Sequence, residues 1–399
     1  MKTVGGNLKI LTLNCWGLFV PFVCQKRRER MTAIAARLSE GEHDIVMLQE
    51  VWSQSDYEML CKRITPAYAY THYFHSNFIG SGTCVFSKYP IYETFYHRYP
   101  VNGHAHRIQH GDWYGGKGVG LCKIVYNGVR INLYVTHLHA EYSTSNDEYL
   151  AHRVVQAFDM SQFVKTTSET CDVVIAGGDF NSRPTDCGYS LLVTNASLKD
   201  AWLNQRETPS GGGETSDTPS NPFTCKKHLM DFPLGERLDY LMYRANASFS
   251  VDCARCYLTM GRVPREQFSY SDHEGVAAEL EIKRNITAMG AEIDFEKRKE
   301  HLNRALRIVQ SGFVQCKNER LYFAVYFVVA CAVLAMLGFT SAPYGLAIVC
   351  GVLRVYFTLL MAYAAWVVLI IKPAEENALW NAKKDMSNLI AQEKLLSQF

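Results

Sequence analysis

The sequence predicts an α/β catalytic domain, built as a four-layer α/β/β/α sandwich, followed by a C-terminal pair of membrane-spanning helices. Strand-like segments outnumber helical ones before residue 284, polar groups stand directly after apolar strand ends, and two long apolar stretches follow residue 320. Two packed sheets with helices on their outer faces present a site at one rim, where such polar groups would collect.

Hydrophobic periodicity predicts the elements in order. Segment 8–14 alternates between apolar and polar residues and segment 44–52 is continuously apolar, so both are predicted to be strands. The Asn127–Gly128 dipeptide between two apolar runs is a strong signal for a β-hairpin. The polar segment 208–221 is predicted to be a flexible surface loop. Further strands are predicted at 83–91, 119–126, 129–140, 172–181, 237–244 and 275–282, and helices at 27–39, 56–64 and 146–165.

Charge and cysteine content restrict the partners and the compartment. The 399 residues carry a formal net charge of +2, which argues against a partner held through many phosphates, such as duplex DNA. The chain has 13 cysteines, an odd number, and several of them lie inside apolar, strand-like runs. Buried, reduced thiols are therefore expected, which suits a domain that faces the cytosol.

The C-terminal apolar stretches are long enough to cross a bilayer. Residues 321–339 contain no charged residue, and residues 344–371 contain only Arg354. The short Thr340–Pro343 turn between them predicts a hairpin, with Arg354 extending its side chain toward the far interface.

Basic residues flank both ends of this hairpin and none lies in its turn, so the positive-inside rule places both ends in the cytosol. Three N-x-S/T sequons, at Asn195, Asn246 and Asn285, are then expected to stay unmodified. The predicted organisation is a catalytic domain at 1–284, a charged helical connector at 285–320, two spans within 321–371 (about 321–339 and 346–371) and a cytosolic tail at 372–399.

Six short motifs place polar side chains at the ends of apolar runs. Each motif alone is more typical of a strand cap or a turn, but together they supply the groups that phosphodiester hydrolysis requires. The motifs are LNCWG, LQEVW, THLHAE, GDFN, RLDY and SDH, and their polar residues are Asn14, Glu50, His137, Asp179, Asn181, Asp239, Asp272 and His273.

A metal site and a general base can be assigned among these residues. Carboxylate and amide oxygens of Glu50, Asn14 and Asp272 suit a hard divalent cation. Histidine has a pKa suited to deprotonating water near neutral pH, which makes His273 the candidate base. Asp239 is the candidate for the carboxylate that orients it.

Hydrogen bonds to the nucleophile and to the oxygens of the phosphorane are also needed. Asn181, Asp179 and His137 are the candidates to supply them.

In order and in wording, these motifs resemble the exonuclease–endonuclease–phosphatase superfamily, which has the fold of DNase I, over residues 8–282. Within it, the chain closely resembles the neutral sphingomyelinases, and its hairpin is similar to that of the animal type 1 enzymes. One departure is Gly275, which stands where proline is common in the superfamily. The second resemblance is carried by LNCWG, LQEVW, IGSGTCVFSKYPI, HGDWYGGKGVGL, VTHLHAEY, YLAHR and SDHE.

The resemblance implies a role for each motif residue. Glu50 would be the principal Mg²⁺ ligand, with Asn14 and Asp272 nearby and Mn²⁺ as an alternative ion. His273 would be the general base, oriented by Asp239.

The remaining motif residues would act on the phosphate. Asp179 and Asn181 would position water and phosphate, and His137 would stabilise the transition state. His139 would either line the site or support it from behind.

The glycine-rich segment 110–118 (HGDWYGGKG) is predicted to be a mobile loop that contacts substrate. Trp113 suits a membrane interface or a choline cation, and Lys117 could reach a phosphate. Asp112, five residues earlier, could hold Lys117 on or off the site. The alternative is a surface turn with an exposed tryptophan.

The expected function is therefore Mg²⁺-dependent hydrolysis of sphingomyelin to ceramide and phosphocholine. The expected place is the cytosolic face of the endoplasmic reticulum or another internal membrane, with no nucleic-acid partner. The alternatives are a phospholipase C acting on choline lysophospholipids, a nuclease of the same fold and a catalytically inactive membrane adaptor. Near-neutral charge and two spans disfavour the nuclease, and the complete set of motif residues disfavours the adaptor. The sequence leaves the oligomeric state open, with a dimer through the hairpin as one arrangement.

Overall fold

The computed structural model describes residues 4–19, 24–209, 211–246, 248–285, 294–339 and 344–396. It divides into two compact units. The first comprises the chain up to Tyr149 together with Gln156–His301, and the second comprises Leu150–Val155 together with the chain from Leu302 onward.

Two six-stranded sheets form the framework of the first unit. The first sheet contains β1 (Gly5–Asn14), β2 (Ile45–Gln49), β3 (Tyr70–Tyr73), β4 (Cys84–Ser87), β11 (Phe249–Thr259) and β12 (Gly275–Arg284), in the order β11–β12–β1–β2–β4–β3. The second contains β5 (Ile91–Arg98), β6 (Gly118–Tyr126), β7 (Val129–His137), β8 (Val173–Asp179), β9 (Lys199–Asp200) and β10 (Asp239–Ala245), in the order β5–β6–β7–β8–β10–β9.

The sheets pack face to face, and helices cover both outer faces. Leu8 and Ile10 of β1 are fully buried in the core between the sheets, together with residues of the second sheet such as Leu133. Leu11 and Leu13 face the other way and pack in the core beneath the helices. This two-sided burial explains why β1 is apolar on both faces.

The outer layers consist of helices. On one side lie α1 (Arg27–Leu38) and α2 (Gln54–Ile64), and on the other lie α4 (Leu150–Thr167) and α5 (Cys187–Asn195). Two single helical turns lie in loops, α3 (Asp112–Gly115) and α6 (His228–Asp231).

Each sheet has a parallel strand pair near its centre. β1 pairs in parallel with β2, and β7 pairs in parallel with β8. β10 runs antiparallel to β8, with Asp239 opposite Asp179. Parallel strands end at the same sheet edge, so each pair brings the residues at its carboxyl ends together. The predicted fold class is confirmed.

The predicted elements all appear, with shifted ends. The Asn127–Gly128 hairpin forms, and both turn residues have positive φ values of 45° and 80°. The strand predicted over 44–52 ends three residues early, at Gln49, because Glu50 has a φ of 57° and leaves the extended conformation. β11 was not predicted, since a register shift between Cys253 and Arg255 interrupts its alternation. The other strands and α-helices of the first unit that the pattern did not predict are β3, β5, β9, α3, α5 and α6.

The second unit is helical. Its elements are the part of α7 (Phe295–Phe339) after His301, then α8 (Tyr344–Trp366), a π-helical segment (Val367–Ile371) and α9 (Lys372–Leu396). Two helical stretches, Phe295–Phe339 and Tyr344–Gln392, are long and apolar enough to cross a membrane. Their apolar windows are 6% and 0% buried, which is unlike the core helices of a soluble domain.

The predicted connector, from Phe295 onward, and the first predicted span form one continuous helix, α7. The polar ends of α7 and α9 pack side by side through buried charges. Lys372 is fully buried and donates to Glu375 at 2.7 Å and to Glu319. The predicted turn at 340–343 lies outside the described residues, and the domain boundary at 284 stays a prediction.

The first turns of α7 belong to the first unit. The Arg298 side chain is buried, and its Nε donates to Asn195 Oδ1 at 3.0 Å. The Asn195 amide in turn donates to Ser161 Oγ and to Gln162 Oε1. The start of the predicted connector therefore packs as part of the sandwich.

We expect Arg298→Ala to lower the free energy of unfolding by about 1–3 kcal/mol, because it leaves the buried Asn195 carbonyl oxygen without this donor. Lys299→Ala, the exposed neighbour, should change it by less than about 0.5 kcal/mol. Urea unfolding of the detergent-solubilised chain, followed by tryptophan fluorescence, measures both. Equal midpoints for the two variants would show that the packing of Arg298 contributes nothing.

Candidate active site

The six motifs converge at one edge of the two sheets. Asn14 and His137 are the last residues of β1 and β7, Asp179 is the last of β8, and Asp239 is the first of β10. Glu50 follows β2 directly. His137 lies opposite Asp179 in the strand register, and Asp179 lies opposite Asp239. Asp272 and His273 stand just before β12, and Asn181 stands two residues after β8.

Asp239 and His273 form a buried dyad. His273 Nδ1 lies 2.8 Å from Asp239 Oδ2, and the backbone N–H of Asp239 donates to Thr215 Oγ1 at 3.1 Å. Burial alone would lower the pKa of His273, but the charges of Asp239, Asp179 and Asp272 raise it well above its usual value. Nδ1 faces Asp239, and the other ring nitrogen, Nε2, lies 3.4 Å from Ser216 Oγ; His273 and Ser216 both line the cleft.

Acidic side chains surround Asn14. Its Nδ2 donates to Glu50 Oε1 at 3.0 Å and to Asp179 Oδ2 at 2.9 Å. Its Oδ1 accepts the backbone N–H of Trp16 at 2.9 Å. In this arrangement Asn14 orients two carboxylates, and its own oxygen is already engaged.

Two of the buried carboxyl groups hold protons unusually tightly. Burial and the Asp239 charge raise the pKa of Asp179 to about 7. Burial raises the pKa of Asp272 to about 6; the His273 charge opposes this rise, and the Glu50 charge adds to it. The positive charges of the protein therefore offset the negative charge of these carboxylates only in part.

This environment fits a divalent cation. The donor set is made of carboxylate oxygens, which hard cations prefer. One oxygen of Asp239, Oδ1, is buried and has no hydrogen-bond partner within the described part of the chain. Ligand atoms of Asp179, Asp239 and His273 lie within 4.8 Å of one another, so this group can also hold a metal ion. The predicted set of Glu50, Asn14 and Asp272 thus lies next to further donors.

His137 is held in one tautomer by a buried lysine. Lys117 Nζ lies 3.1 Å from His137 Nε2, and burial and the Lys117 charge hold the pKa of His137 well below its usual value. Because an ammonium group only donates, the neutral ring accepts at Nε2 and carries its proton on Nδ1. Nδ1 is buried and lacks a hydrogen-bond partner among the described residues, which leaves His137 with a donor to offer.

Asp112 links Lys117 to His139. Lys117 Nζ lies 2.6 Å from Asp112 Oδ1, and both side chains are almost fully buried. His139 Nε2 lies 3.5 Å from Asp112 Oδ2, and Tyr142 donates to the same oxygen. Burial opposes ionisation of Asp112, but Lys117 and His139 hold its pKa well below its usual value. His139 therefore supports the network that connects Asp112 and Lys117 to His137.

The remaining predicted residues take different positions. Asn181 lines the cleft, and its Nδ2 donates to the Leu138 carbonyl at 3.0 Å. Trp113 is half-buried, is not among the residues that line the cleft, and its carbonyl accepts from Asn77 Nδ2. The structure thus brings Asp112, Lys117 and His139 to the site but leaves Trp113 outside it.

Two site residues adopt strained backbone conformations. Glu50 has a φ of 57° and Asn181 a φ of 42°, in the left-handed region that non-glycine residues rarely occupy. Such strain tends to collect at functional sites, where it aims a side chain.

His273, Asp272 and Asn181 line a cleft of about 710 Å³. Its walls combine acidic and basic side chains, with an exposed thiol at Cys225. The charged and titratable residues on its walls, besides those already placed, are Glu141, Arg183, Asp217, Lys227, His228, Asp231 and Glu236.

Several residues near the site were not identified from the sequence. Trp52 Nε1 lies 3.4 Å from Glu50 Oε2, and Arg183 pairs with Glu141 and Glu236 beside the cleft. Trp52 and Arg183 stand two residues after the motif residues Glu50 and Asn181, and this short spacing is the signal that the sequence contains for them. Tyr142 is the last residue of the motif VTHLHAEY, whereas Thr215 lies in a polar segment that carries no such signal.

The chain matches the model of the Endonuclease/Exonuclease/phosphatase family over residues 11–273. A Caenorhabditis elegans protein with the provisional name neutral sphingomyelinase is 36% identical over 96% of this chain and 91% of its own length. Human sphingomyelin phosphodiesterase 2 is 41% identical over 69% of this chain and 65% of its own length, so this chain spans just under two thirds of the human protein. A Staphylococcus aureus beta toxin structure with bound magnesium ions covers 68% of this chain and 99% of its own at a TM-score of 0.51 and 20% identity, which supports the fold.

We expect Asp112→Asn to lower the free energy of unfolding by about 3–5 kcal/mol at pH 7, since it strands the buried ammonium of Lys117. The double variant Asp112→Asn/Lys117→Met should recover part of this loss. The pKa of Asp112 is lowered by folding, so its contribution is present above the unfolded pKa and is lost as pH falls through the lower folded value.

Urea unfolding between pH 3 and pH 8 measures this difference. Glu93→Gln, which removes an exposed partner of Lys123, is the matched control and should cost less than about 1 kcal/mol. A loss for Asp112→Asn no larger than that of the control would contradict a buried ion pair.

Proposed function

The chain belongs to the Endonuclease/Exonuclease/phosphatase family and, within it, to the neutral sphingomyelinases, and we propose that it hydrolyses sphingomyelin to ceramide and phosphocholine. It is a hydrolase of the phosphodiesterase type. The observation that carries the proposal is the buried Asp239–His273 dyad, whose histidine lines a cleft together with Asp272 and Asn181.

His273 is proposed to start the reaction. Its Nδ1 faces Asp239, so Nε2 is the nitrogen that takes a proton from water in the cleft. The hydroxide formed attacks the phosphorus in line, and the bond between phosphorus and the ceramide oxygen breaks. Asp239 stabilises the imidazolium that forms and keeps the ring oriented. The released ceramide oxygen takes up a proton from water in the cleft, and His273 returns the proton that it gained to the solvent, which completes the balance of the hydrolysis.

The other polar groups are proposed to stabilise the pentacovalent transition state. His137 offers its Nδ1 proton, and Asn181 offers its amide from the cleft wall. Lys117 keeps the His137 ring neutral and contributes a positive charge beside it. Asp179 is proposed to position the water and the phosphate.

A divalent cation, when bound, neutralises phosphate charge and so stabilises the transition state. Glu50, Asp179 and Asp272 are proposed to hold it, with Asn14 orienting the first two. Mg²⁺ is proposed over Mn²⁺ as the resident ion, because the donors are oxygens and the ligand set is small enough to leave room for waters.

The phosphocholine ester of a sphingolipid is proposed as the substrate, with choline lysophospholipids as the alternative. DNA is a weaker candidate, because the net charge is only +2 and the cleft wall contains several carboxylates. Trp113 is proposed to contact lipid at the membrane surface and not the reacting phosphate, since it lies outside the cleft.

The two apolar helices are proposed to anchor the enzyme with both ends in the cytosol, on the endoplasmic reticulum or another internal membrane. Every proposed catalytic residue precedes position 283, so the hairpin supplies location and the sandwich supplies the chemistry. Anchoring raises the effective concentration of a substrate confined to the same membrane.

Glu50→Gln should keep the fold and weaken cation binding, because an amide lacks the charge that a hard cation requires. Activity on sphingomyelin in mixed micelles should fall by about two orders of magnitude or more. Glu58→Gln, which alters an exposed carboxylate on α2, is the matched control and should be unchanged. Calorimetric titration with Mg²⁺ provides a measurement independent of activity.

The same assay distinguishes the candidate substrates. Wild-type protein should cleave sphingomyelin with Mg²⁺ and lose this activity in EDTA. Faster cleavage of lyso-platelet-activating factor would favour the lysophospholipid alternative, and cleavage of DNA alone would overturn the lipid proposal. Full activity of Glu50→Gln at limiting Mg²⁺ would show that this ligand is misassigned.

Both termini should be open to protease added to intact microsomes, if the proposed orientation holds. Asn195, Asn246 and Asn285 should show no mass shift on endoglycosidase treatment. A sequon on a long hydrophilic insertion between the two apolar stretches is the positive control and should be glycosylated. Sugar at any native sequon would place the catalytic unit in the lumen.

A further inference from the structure

Arg30 is a fully buried arginine that joins two separate segments of the active site. It stands on the first turns of α1, and its side chain has no exposed surface. Its guanidinium donates to the carbonyls of Cys15 at 2.8 Å, Trp16 at 2.6 Å and Tyr270 at 3.2 Å. Further donors reach the Gln25 carbonyl and the thiol of Cys24.

The environment of this cation is unusual for a protein interior. Within the described residues, Arg30 forms no ion pair with a carboxylate, and its hydrogen-bond partners are backbone carbonyls and one thiol. The guanidinium also lies over the rings of Trp16 at 4.6 Å and Phe223 at 5.7 Å, which gives cation–π stabilisation. Burying a charge without a paired carboxylate costs free energy. Arg30 contacts two segments that carry active-site residues, and this contact offers a reason for the cost.

The first segment that Arg30 holds carries Asn14. Cys15 and Trp16 follow Asn14 directly, and Trp16 has a strained φ of 46°. The backbone N–H of Trp16 donates to Asn14 Oδ1, so the position of Trp16 sets the direction of the Asn14 amide. That amide orients Glu50 and Asp179.

The second segment carries Asp272 and His273. Tyr270, whose carbonyl accepts from Arg30, lies two residues before Asp272. Arg30 therefore connects the loop after β1 to the loop before β12. Its rigid, planar fork fixes the distance between them in a way that a single ammonium cannot reproduce.

We propose that Arg30 is a positioning residue of the cation site, which holds the loops that carry Asn14 and Asp272 at their working separation. The proposal rests on the proposed function, because it concerns the same site. It assigns to helix α1 a role in the chemistry that its own sequence pattern does not suggest.

The test compares Arg30→Lys and Arg30→Met with Arg37→Met in the full-length, detergent-solubilised chain. Arg37 lies on the same helix and pairs with Glu40 and Glu42 at the surface. Mn²⁺ binding, measured by electron paramagnetic resonance, should weaken about 10-fold or more in both Arg30 variants, as expected when a residue supporting metal ligands is removed. On sphingomyelin, kcat should fall at least as much while KM changes little. Arg37→Met should match wild type in every measurement.

Urea unfolding in EDTA shows whether each variant is folded. A folded Arg30→Lys with wild-type Mn²⁺ affinity would overturn the proposal, since a purely structural role would alter stability alone. If neither Arg30 variant folds, Phe223→Leu takes their place, because it removes one stacking ring and leaves every carbonyl acceptor. It should weaken Mn²⁺ binding about 2–5-fold; unchanged affinity in this folded variant would also overturn the proposal.

The outcomes separate this inference from the proposed function. A wild-type protein that binds Mn²⁺ but does not cleave sphingomyelin would contradict the substrate assignment. Weaker Mn²⁺ binding in Arg30→Lys would still support the positioning role in that case.

Discussion

The register of the central strands is the constraint on which the active site depends. His137, Asp179 and Asp239 lie opposite one another on three neighbouring strands, and Asn14 lies opposite Gln49 on the other sheet. A slip of one residue in any of these pairings would turn a catalytic side chain to the opposite face of its sheet. Backbone hydrogen bonds in the best-packed part of the fold therefore set the geometry of the chemistry.

Electrostatics at this edge follow from the same crowding. Bringing several carboxylates together in a buried place raises the pKa of Asp179 and of Asp272, and it also raises the pKa of His273. The buried Arg30 opposes this rise at Asp272, and the buried Lys117 is paired with Asp112. A divalent cation would complete the balance and would lower the pKa values of all three groups. Metal dependence and acid–base chemistry are thus two results of one arrangement.

Most of this arrangement could be predicted from the sequence, because the motifs sit at strand ends and strands are visible as apolar runs. The predicted fold class is confirmed, and the structure gathers the predicted catalytic and metal-binding residues at one edge. Contacts between residues far apart in the chain were not predictable in the same way. In the sequence, Arg30 is one of several basic residues in a charged helix, and its partner Tyr270 lies 240 residues away. The burial of Arg298 against Asn195 depends likewise on how a helix packs, which periodicity alone does not give.

Cys225 places a reactive thiol on the wall of the cleft. All 13 cysteines lie in described residues, and Cys225 alone among them is exposed. Burial raises the pKa of Cys122 and of Cys253 to about 12, so thiols of this kind stay protonated and resist alkylating reagents. A maleimide or a fluorescent label would therefore react first on the wall that also carries His273. A ligand in the cleft would slow the labelling of Cys225, so labelling rates would report how often the cleft is filled. A label attached to Cys225 for another purpose would obstruct the cleft.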